Sequence, residues 1–184
     1  SGADADRLEE IAEKVRYDHI LRLGEPGGVV AGDGIRRELE RFLPERFEDL
    51  DVPLLMTAVD LQKGELVVLN SGPLIPALRA TSSIPGLIAP LHMDDRWLLD
   101  GGILNNLPVD LARTMGPEPV IAVDVAVPAD RHVDIPEVAN AWERMRTMLQ
   151  PQRATALALF MKSFDVPQAL ITRMRVTMAP PDLL

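Results

Sequence analysis

Continuous apolar stretches of strand length dominate the middle of the chain. Residues 54–59 (Leu-Leu-Met-Thr-Ala-Val) end at Asp60, and Val-Ile-Ala-Val at 120–123 ends at Asp124. Apolar runs that do not alternate with polar residues are typical of strands that are buried on both faces, as in parallel sheets. After 54–59, Lys63-Gly64 predicts a turn and 65–70 the return strand of a hairpin. A second small hairpin is predicted around Asp94-Asp95-Arg96.

Helical spacing of apolar residues separates these strands. It predicts helices over residues 4–15, 33–43, 74–81 and 108–115. Val-Thr-Met at 176–178, directly before Ala-Pro-Pro, predicts a last strand. After residue 130 two helical stripes follow, Val138, Trp142, Met145 and Leu149, then Leu157, Phe160, Met161 and Phe164. These stripes are either core or a lipid-facing or lid surface. Strands that alternate with helices predict an α/β fold with a largely parallel central sheet flanked by helices.

A third apolar strand ends at Asp100 and is followed by Gly101 and Gly102. The glycines allow backbone conformations that are closed to other residues, and they allow another group to approach closely. Asp60, Asp100 and Asp124 are all candidate site residues, because chemistry in open α/β sheets collects at the carboxyl ends of strands. From these residues alone, Asp100 is either a functional carboxylate or an ordinary strand-end Asp before a glycine turn.

Composition excludes several classes of site. The 184 residues contain no Cys, so disulfides, thiolate metal sites and a Cys nucleophile are ruled out. A formal net charge of −9 argues against a nucleic-acid partner. The three His show no ligand-like spacing, no Gly-x-Ser-x-Gly elbow is present, and no Gly-rich phosphate loop follows a strand. No metal and no cofactor is therefore predicted.

Several collinear segments resemble the patatin-like phospholipase family, in its bacterial single-domain esterase branch. They are Ala-Val-Asp-Leu at 58–61 with Gly-Glu at 64–65, Ser-Gly-Pro-Leu at 71–74, Ala-Leu-Arg-Ala-Thr-Ser-Ser-Ile-Pro-Gly at 77–86, Asp-Gly-Gly at 100–102, Asn-Asn-Leu-Pro at 105–108 and Val-Ile-Ala-Val-Asp-Val at 120–125. The resemblance implies the patatin-like hydrolase fold and an acyl-ester hydrolase that works with a Ser–Asp dyad and no His. Asp100 matches the dyad aspartate, with Gly101 and Gly102 as the motif around it.

The chain departs from the family at its start, since the nucleophile elbow and the Gly-rich oxyanion loop are absent. Residues 1–184 are therefore expected to be a single patatin-like domain whose N-terminal strands are missing. The chain alone is predicted to be inactive, and to self-associate or to pair with the missing segment. It is either part of a longer enzyme or a catalytically inactive module with a binding or regulatory role.

The resemblance implies carboxylic esters as substrates, with phospholipids, lysophospholipids and related acyl lipids foremost. A cytoplasmic location is expected, with peripheral contact to the membrane left open. The sequence leaves head group, chain length, regioselectivity and oligomeric state undetermined, and it does not separate a lipase from a general esterase.

Overall fold

The computed structural model describes residues 28–30, 42–126 and 153–184, together with residues 6, 9 and 40. They belong to two compact units, Ser1–Asn106 and Leu107–Leu184. Asp6 and Glu9 are helical, in agreement with the helix predicted over 4–15. Most of the predicted 33–43 helix and the whole stripe at 138–149 lie outside the described residues.

A four-stranded antiparallel sheet forms the centre of the first unit. Its strands are β2 (Met56–Asp60), β3 (Glu65–Leu69), β5 (Leu91–Met93) and β6 (Arg96–Asp100), in the order β3-β2-β6-β5. Two short strands, β1 (Gly28–Val30) and β4 (Gly86–Ile88), pair in parallel elsewhere in the unit. The described residues are thus mixed α/β.

The prediction of a largely parallel central sheet is wrong for this four-stranded sheet, in which every pair is antiparallel. The reason lies in the connections. Both β2–β3 and β5–β6 are joined by short turns, which can link only antiparallel neighbours. The apolar run at 54–59 indicated burial correctly for residues 56–59, because all five residues of β2 are buried, but Leu54 is 40% exposed. Burial on both faces also suits the inner strand of an antiparallel sheet.

Two predicted hairpins are confirmed, and their turns need left-handed backbone. Gly64 has φ +68° in the β2–β3 turn, where the absence of a Cβ removes the steric cost. In the β5–β6 turn, Asp94 and Asp95 have φ of 49° and 58°. Two consecutive left-handed residues match the strand twist of a two-residue hairpin, and Asp tolerates this conformation better than most residues.

Helix α1 (Leu74–Thr81) packs across the sheet and was predicted with these same bounds. Its Ala80 joins Ala58 and Leu98 in one buried cluster, while Leu74 and Ala77 join Phe47 and Met56 in another. Small alanine side chains on both surfaces let the helix axis lie close to the strands. The turn after α1 is therefore held against the sheet, next to the end of β6. Helix α2 (Gly102–Asn105) follows β6 directly.

The second unit contains helices α3 (Val109–Ala112) and α4 (Arg153–Met178). Leu107, Val109 and Ala122 form its buried cluster, against which Val120 and Val176 pack. No described helix is long and apolar enough to cross a bilayer.

Two strand predictions are wrong in the second unit. Residues 120–125 form only a bridge between Ile121 and Leu183, and Ile121, Val123 and Val125 are exposed. An apolar run predicts a strand only where neighbouring strands supply ladder partners, and here residue 183 is the one described partner. Residues 176–178 are the last turn of α4 and not a strand. Val176 packs against the cluster as a helical residue, so tertiary contact outweighs its β-propensity.

Candidate active site

Asp100 is the last residue of β6, and its backbone is fixed from two sides. It lies opposite Ala58 in the β2–β6 pairing. Its N–H donates a hydrogen bond of 3.0 Å to the carbonyl oxygen of Ser83, in the turn after α1. The pairing with β2 and the hydrogen bond to the α1 turn together fix the position of the Asp100 backbone.

The Asp100 carboxylate is half-buried and accepts a hydrogen bond from the chain that follows it. The Gly102 N–H donates to Oδ1 at 2.8 Å. Burial raises the pKa of the Asp100 carboxyl, and this hydrogen bond partly offsets the rise. Among the described residues, Gly102 is the one hydrogen-bond donor to this carboxylate and no ion pair reaches it. A half-buried carboxylate with a raised pKa is suited to accept a proton.

The two glycines have ordinary helical backbone, which corrects the expectation that they need conformations closed to other residues. Gly101 has φ −65° and ψ −23°, and Gly102 is the first residue of α2. The expectation of close approach is confirmed for Gly101. A Cβ at this position would overlap the side-chain oxygen, the carbonyl carbon and the carbonyl oxygen of Thr57 on β2. Gly101 therefore allows α2 to begin directly against the inner strand.

A buried network at the end of α1 supports the same place, and the sequence did not predict it. Arg79 donates hydrogen bonds to Ser83 Oγ and, at 2.8 Å, to the Ala89 carbonyl oxygen. Ser83 is fully buried, and its hydroxyl donates to the Arg79 carbonyl oxygen at 2.9 Å. Ser83 thus satisfies a backbone carbonyl in the last turn of α1. The available signal was an Arg in the last helical turn with a Ser four residues later, a spacing that places both on one helix face.

Thr81 adds a second link between α1 and the inner strand. Its hydroxyl donates a hydrogen bond of 2.7 Å to the Thr57 carbonyl oxygen. Thr57 thus contacts α1 through its carbonyl group and leaves no space for a side chain at Gly101. The α1 turn, β2 and the start of α2 converge on Asp100.

The other strand-end aspartates have different environments. Asp60 lies opposite Leu98, two residues before Asp100 along the antiparallel partner, so the carboxyl ends of β2 and β6 point in opposite directions. Asp60 is buried and its Oδ1 accepts the N–H groups of Gln62 and Lys63, which makes it a turn residue. Asp124 is exposed, ends no strand, and accepts the Ala126 N–H at 2.9 Å. The rule that made Asp60 a candidate, that chemistry collects at the carboxyl ends of strands, does not bring it to Asp100, because the two strands are antiparallel.

The described residues hold no group of three or more His, Asp or Glu that could bind a metal ion. His92, one of the three histidines, lies against Trp97 with ring centroids 4.8 Å apart. A cavity of about 230 Å³ lies between the end of β3 and the β5–β6 hairpin, lined in part by Leu69, Ala77 and Leu98. Asp100 does not line it, so this cavity is separate from the candidate site.

The chain belongs to the patatin-like phospholipase family, whose model matches residues 2–113. An NTE family protein of Mycobacterium tuberculosis, named as uncharacterized, is 36% identical over 129 residues, which are 66% of this chain and 36% of that protein. Human patatin-like phospholipase domain-containing protein 6 is 37% identical over 97 residues, 51% of this chain and 7% of its own length. Rat patatin-like phospholipase domain-containing protein 7 is 37% identical over 98 residues, 52% of this chain and 7% of its own length. The chain thus spans about a third or less of these relatives.

Proposed function

We propose that this chain is the part of a patatin-like acyl-ester hydrolase that carries the general base, Asp100. The observation that supports this most is a half-buried carboxylate at the end of β6, an inner strand of the sheet, in the segment that matches the family. It is backed by the raised pKa of Asp100 and by the absence of any other charged group on it among the described residues. The family comprises lipid acyl hydrolases, so carboxylic esters of acyl lipids are the proposed substrates.

In the proposed reaction, Asp100 acts on a serine hydroxyl that residues 1–184 do not supply within a Gly-x-Ser-x-Gly elbow. The carboxylate takes the hydroxyl proton as the serine oxygen bonds to the ester carbonyl carbon. When the tetrahedral intermediate collapses, the ester C–O bond breaks and Asp100 gives that proton to the departing alcohol. A water molecule then hydrolyses the acyl-enzyme, with Asp100 accepting its proton and returning it to serine. The Gly102 N–H holds Oδ1 during these transfers.

The test measures ester hydrolysis by the polypeptide as its gene encodes it, with p-nitrophenyl butyrate and lysophosphatidylcholine as substrates. Asp100→Asn keeps the shape of the side chain and removes its capacity as a base. We expect a loss of about 10⁴-fold in kcat or more, by analogy with the corresponding change in a Ser-His-Asp triad. Asp60→Asn and Asp124→Asn are matched controls and should remain within about tenfold of the unmodified rate, or about 1.4 kcal/mol in barrier height.

Two further results separate the enzyme from the alternative. The isolated 184-residue chain should not react with a fluorophosphonate probe, and stoichiometric labelling of Ser83 or Ser82 would contradict the dyad. A gene product that has no Gly-x-Ser-x-Gly elbow and no esterase activity would instead support the binding or regulatory module. A folded Asp100→Asn variant that keeps most of its rate would overturn the assignment of the base.

A further inference from the structure

Arg79 is a buried charged side chain that the proposed reaction does not use. It lies in the last turn of α1 and is only 7% exposed. Arginine is rarely buried to this extent, because a guanidinium group loses its water there and has to be satisfied by hydrogen bonds. The acceptors of these hydrogen bonds therefore indicate what the Arg79 side chain does.

The guanidinium group of Arg79 connects the two ends of the segment from Ser83 to Ala89. Its Nη1 donates to Ser83 Oγ, just after the end of α1, and its Nη2 donates at 2.8 Å to the Ala89 carbonyl oxygen, directly after β4. The nitrogens of a guanidinium group lie in one rigid plane, so two acceptors that are bonded to them are fixed relative to each other. Lysine carries one ammonium group on a flexible stem and does not reproduce this arrangement.

Three hydrogen bonds hold Ser83 in place. Its hydroxyl accepts from the Arg79 guanidinium group and donates to the Arg79 carbonyl oxygen at 2.9 Å. Its backbone N–H donates to the Ala80 carbonyl oxygen at 3.0 Å. Because Ser83 is also fully buried in a close-packed interior, its carbonyl oxygen has little freedom to move.

The Ser83 carbonyl oxygen in turn holds the backbone of Asp100. Strand β5 pairs with β6 at residues 96–98 and ends short of Asp100. The Ser83 carbonyl oxygen accepts the Asp100 N–H instead, at 3.0 Å. One series of contacts thus connects the Arg79 guanidinium group, through Ser83, to the residue that carries the proposed base.

We propose that Arg79 is a positioning residue for the hydrolysis: by fixing the Ser83 carbonyl oxygen, it sets the position of the Asp100 carboxylate against the serine hydroxyl. The proposal rests on the proposed function, in which Asp100 is the general base. In this role Arg79 acts only through Asp100, so its loss should slow the chemical step more than it weakens substrate binding. A displacement of about 1 Å at a reacting group costs on the order of 10²-fold in rate.

The experiment measures kcat and KM for p-nitrophenyl butyrate with the polypeptide as its gene encodes it. Arg79→Lys keeps the charge and removes the contact with two acceptors, so kcat should fall about 10- to 100-fold while KM stays within about threefold. Ser83→Ala removes one of the acceptors and keeps the carbonyl group, so kcat should fall about three- to tenfold.

Arg113→Lys is the matched control in the second unit. Arg113 also donates to a backbone carbonyl oxygen, that of Pro180, and it pairs with Asp182 at 3.3 Å. Because this contact is at the surface, kcat of Arg113→Lys should stay within about twofold of the unmodified value.

A double variant separates positioning of the base from a merely structural role. If Arg79 acts through Asp100, adding Arg79→Lys should change the residual rate of Asp100→Asn by less than about twofold, because the effects of residues that act as a unit are not additive. A general weakening of the fold would instead lower both rates by the same factor. Circular dichroism and thermal melts establish that each variant is folded, and Ser83→Ala decides alone if Arg79→Lys is not folded.

A folded Arg79→Lys variant with the unmodified kcat would overturn the proposal. An equal loss of rate in the Asp100→Asn background, or an unchanged kcat in Ser83→Ala, would overturn it as well. The rate of Asp100→Asn alone tests the proposed function separately. Loss of rate in Asp100→Asn with full rate in Arg79→Lys would contradict only the positioning role, whereas full rate in Asp100→Asn would contradict the assignment of the base.

Discussion

Substitution of Gly101 by Ala tests why a glycine stands at this position. Either Thr57 lies too close for a Cβ, or the backbone needs a conformation that other residues avoid. The backbone of Gly101 is helical, so Ala adds no backbone strain there. The added Cβ would overlap three atoms of Thr57, two of which belong to the backbone of β2. Strand β2 is paired on both edges, with β3 and with β6, and cannot shift without disturbing both ladders.

The expected magnitude is the difference between two effects. Ala at a helical position stabilises by about 0.4–1 kcal/mol, because it restricts the unfolded chain more than Gly does. Overpacking in a rigid surrounding costs about 1–3 kcal/mol, and a contact with strand backbone belongs at the upper end of this range. The net effect of Gly101→Ala should be a loss of about 2 kcal/mol in the free energy of unfolding. For a chain of this size that corresponds to a decrease of about 4–8 °C in Tm.

Thermal and urea denaturation of three glycine variants provides the measurement. Gly116→Ala has open space and no left-handed backbone, so it should be neutral or slightly stabilising. Gly64→Ala has open space but φ +68°, and should cost about 1 kcal/mol through the backbone alone. Thr57→Ala combined with Gly101→Ala should recover little, because backbone atoms of residue 57 remain in place. If Gly101→Ala is as stable as Gly116→Ala, or if the double variant recovers fully, the close-approach argument is refuted.

Three further predictions follow from single side chains. The folded state raises the pKa of Asp100, so the stability that this group contributes is greatest below the ordinary carboxyl pKa and is lost as pH rises through the folded-state pKa. Asp100→Asn should therefore have a higher Tm than the unmodified chain at neutral pH and lose this advantage in acid. An equal Tm difference at both pH values would contradict this prediction. Asp60→Ala removes the acceptor of two turn N–H groups and should cost about 1–3 kcal/mol in urea denaturation, whereas an unchanged midpoint would show that water replaces the carboxylate. Asp95→Gly relieves a left-handed backbone of φ 58° and should be neutral or stabilise by up to about 1 kcal/mol, and a lower Tm would show that the side chain contributes more than the strain.

Local patterns predicted the pieces of the fold better than their arrangement. The bounds of α1 and both hairpins follow from residues close together in the sequence, such as Lys63-Gly64 and Asp94-Asp95. Strand direction in the sheet did not follow, because burial of β2 on both faces fits a parallel and an antiparallel sheet equally well. At 120–125 the apolar run predicted a strand, but strand formation depends on ladder partners that the local pattern does not contain.

The candidate site likewise combines a local feature that the sequence predicts with long-range contacts that it does not predict. Asp100 could be named as a candidate from sequence, since a carboxylate between an apolar strand and two glycines is a local feature. Its surroundings could not, because they depend on long-range contacts. The Thr57–Gly101 contact joins a residue of β2 to the residue that follows β6, and the bond from the Asp100 N–H to the Ser83 carbonyl oxygen depends on how α1 packs on the sheet. In the sequence, only the resemblance to a family relates these segments to one another.

The register of the sheet explains how the position of Asp100 depends on the two glycines that follow it, Gly101 and Gly102. Because Ala58 lies opposite Asp100, the next residue of the chain meets Thr57, and a side chain there would push the start of α2 away from β2. Gly101 prevents this and keeps the Gly102 N–H 2.8 Å from Asp100 Oδ1. Burial raises the pKa of the Asp100 carboxyl, while the Gly102 N–H limits the rise. Because a side chain at residue 101 would displace the start of α2 and with it this N–H, Gly101→Ala should alter the pH dependence of the proposed hydrolysis as well as the stability of the fold.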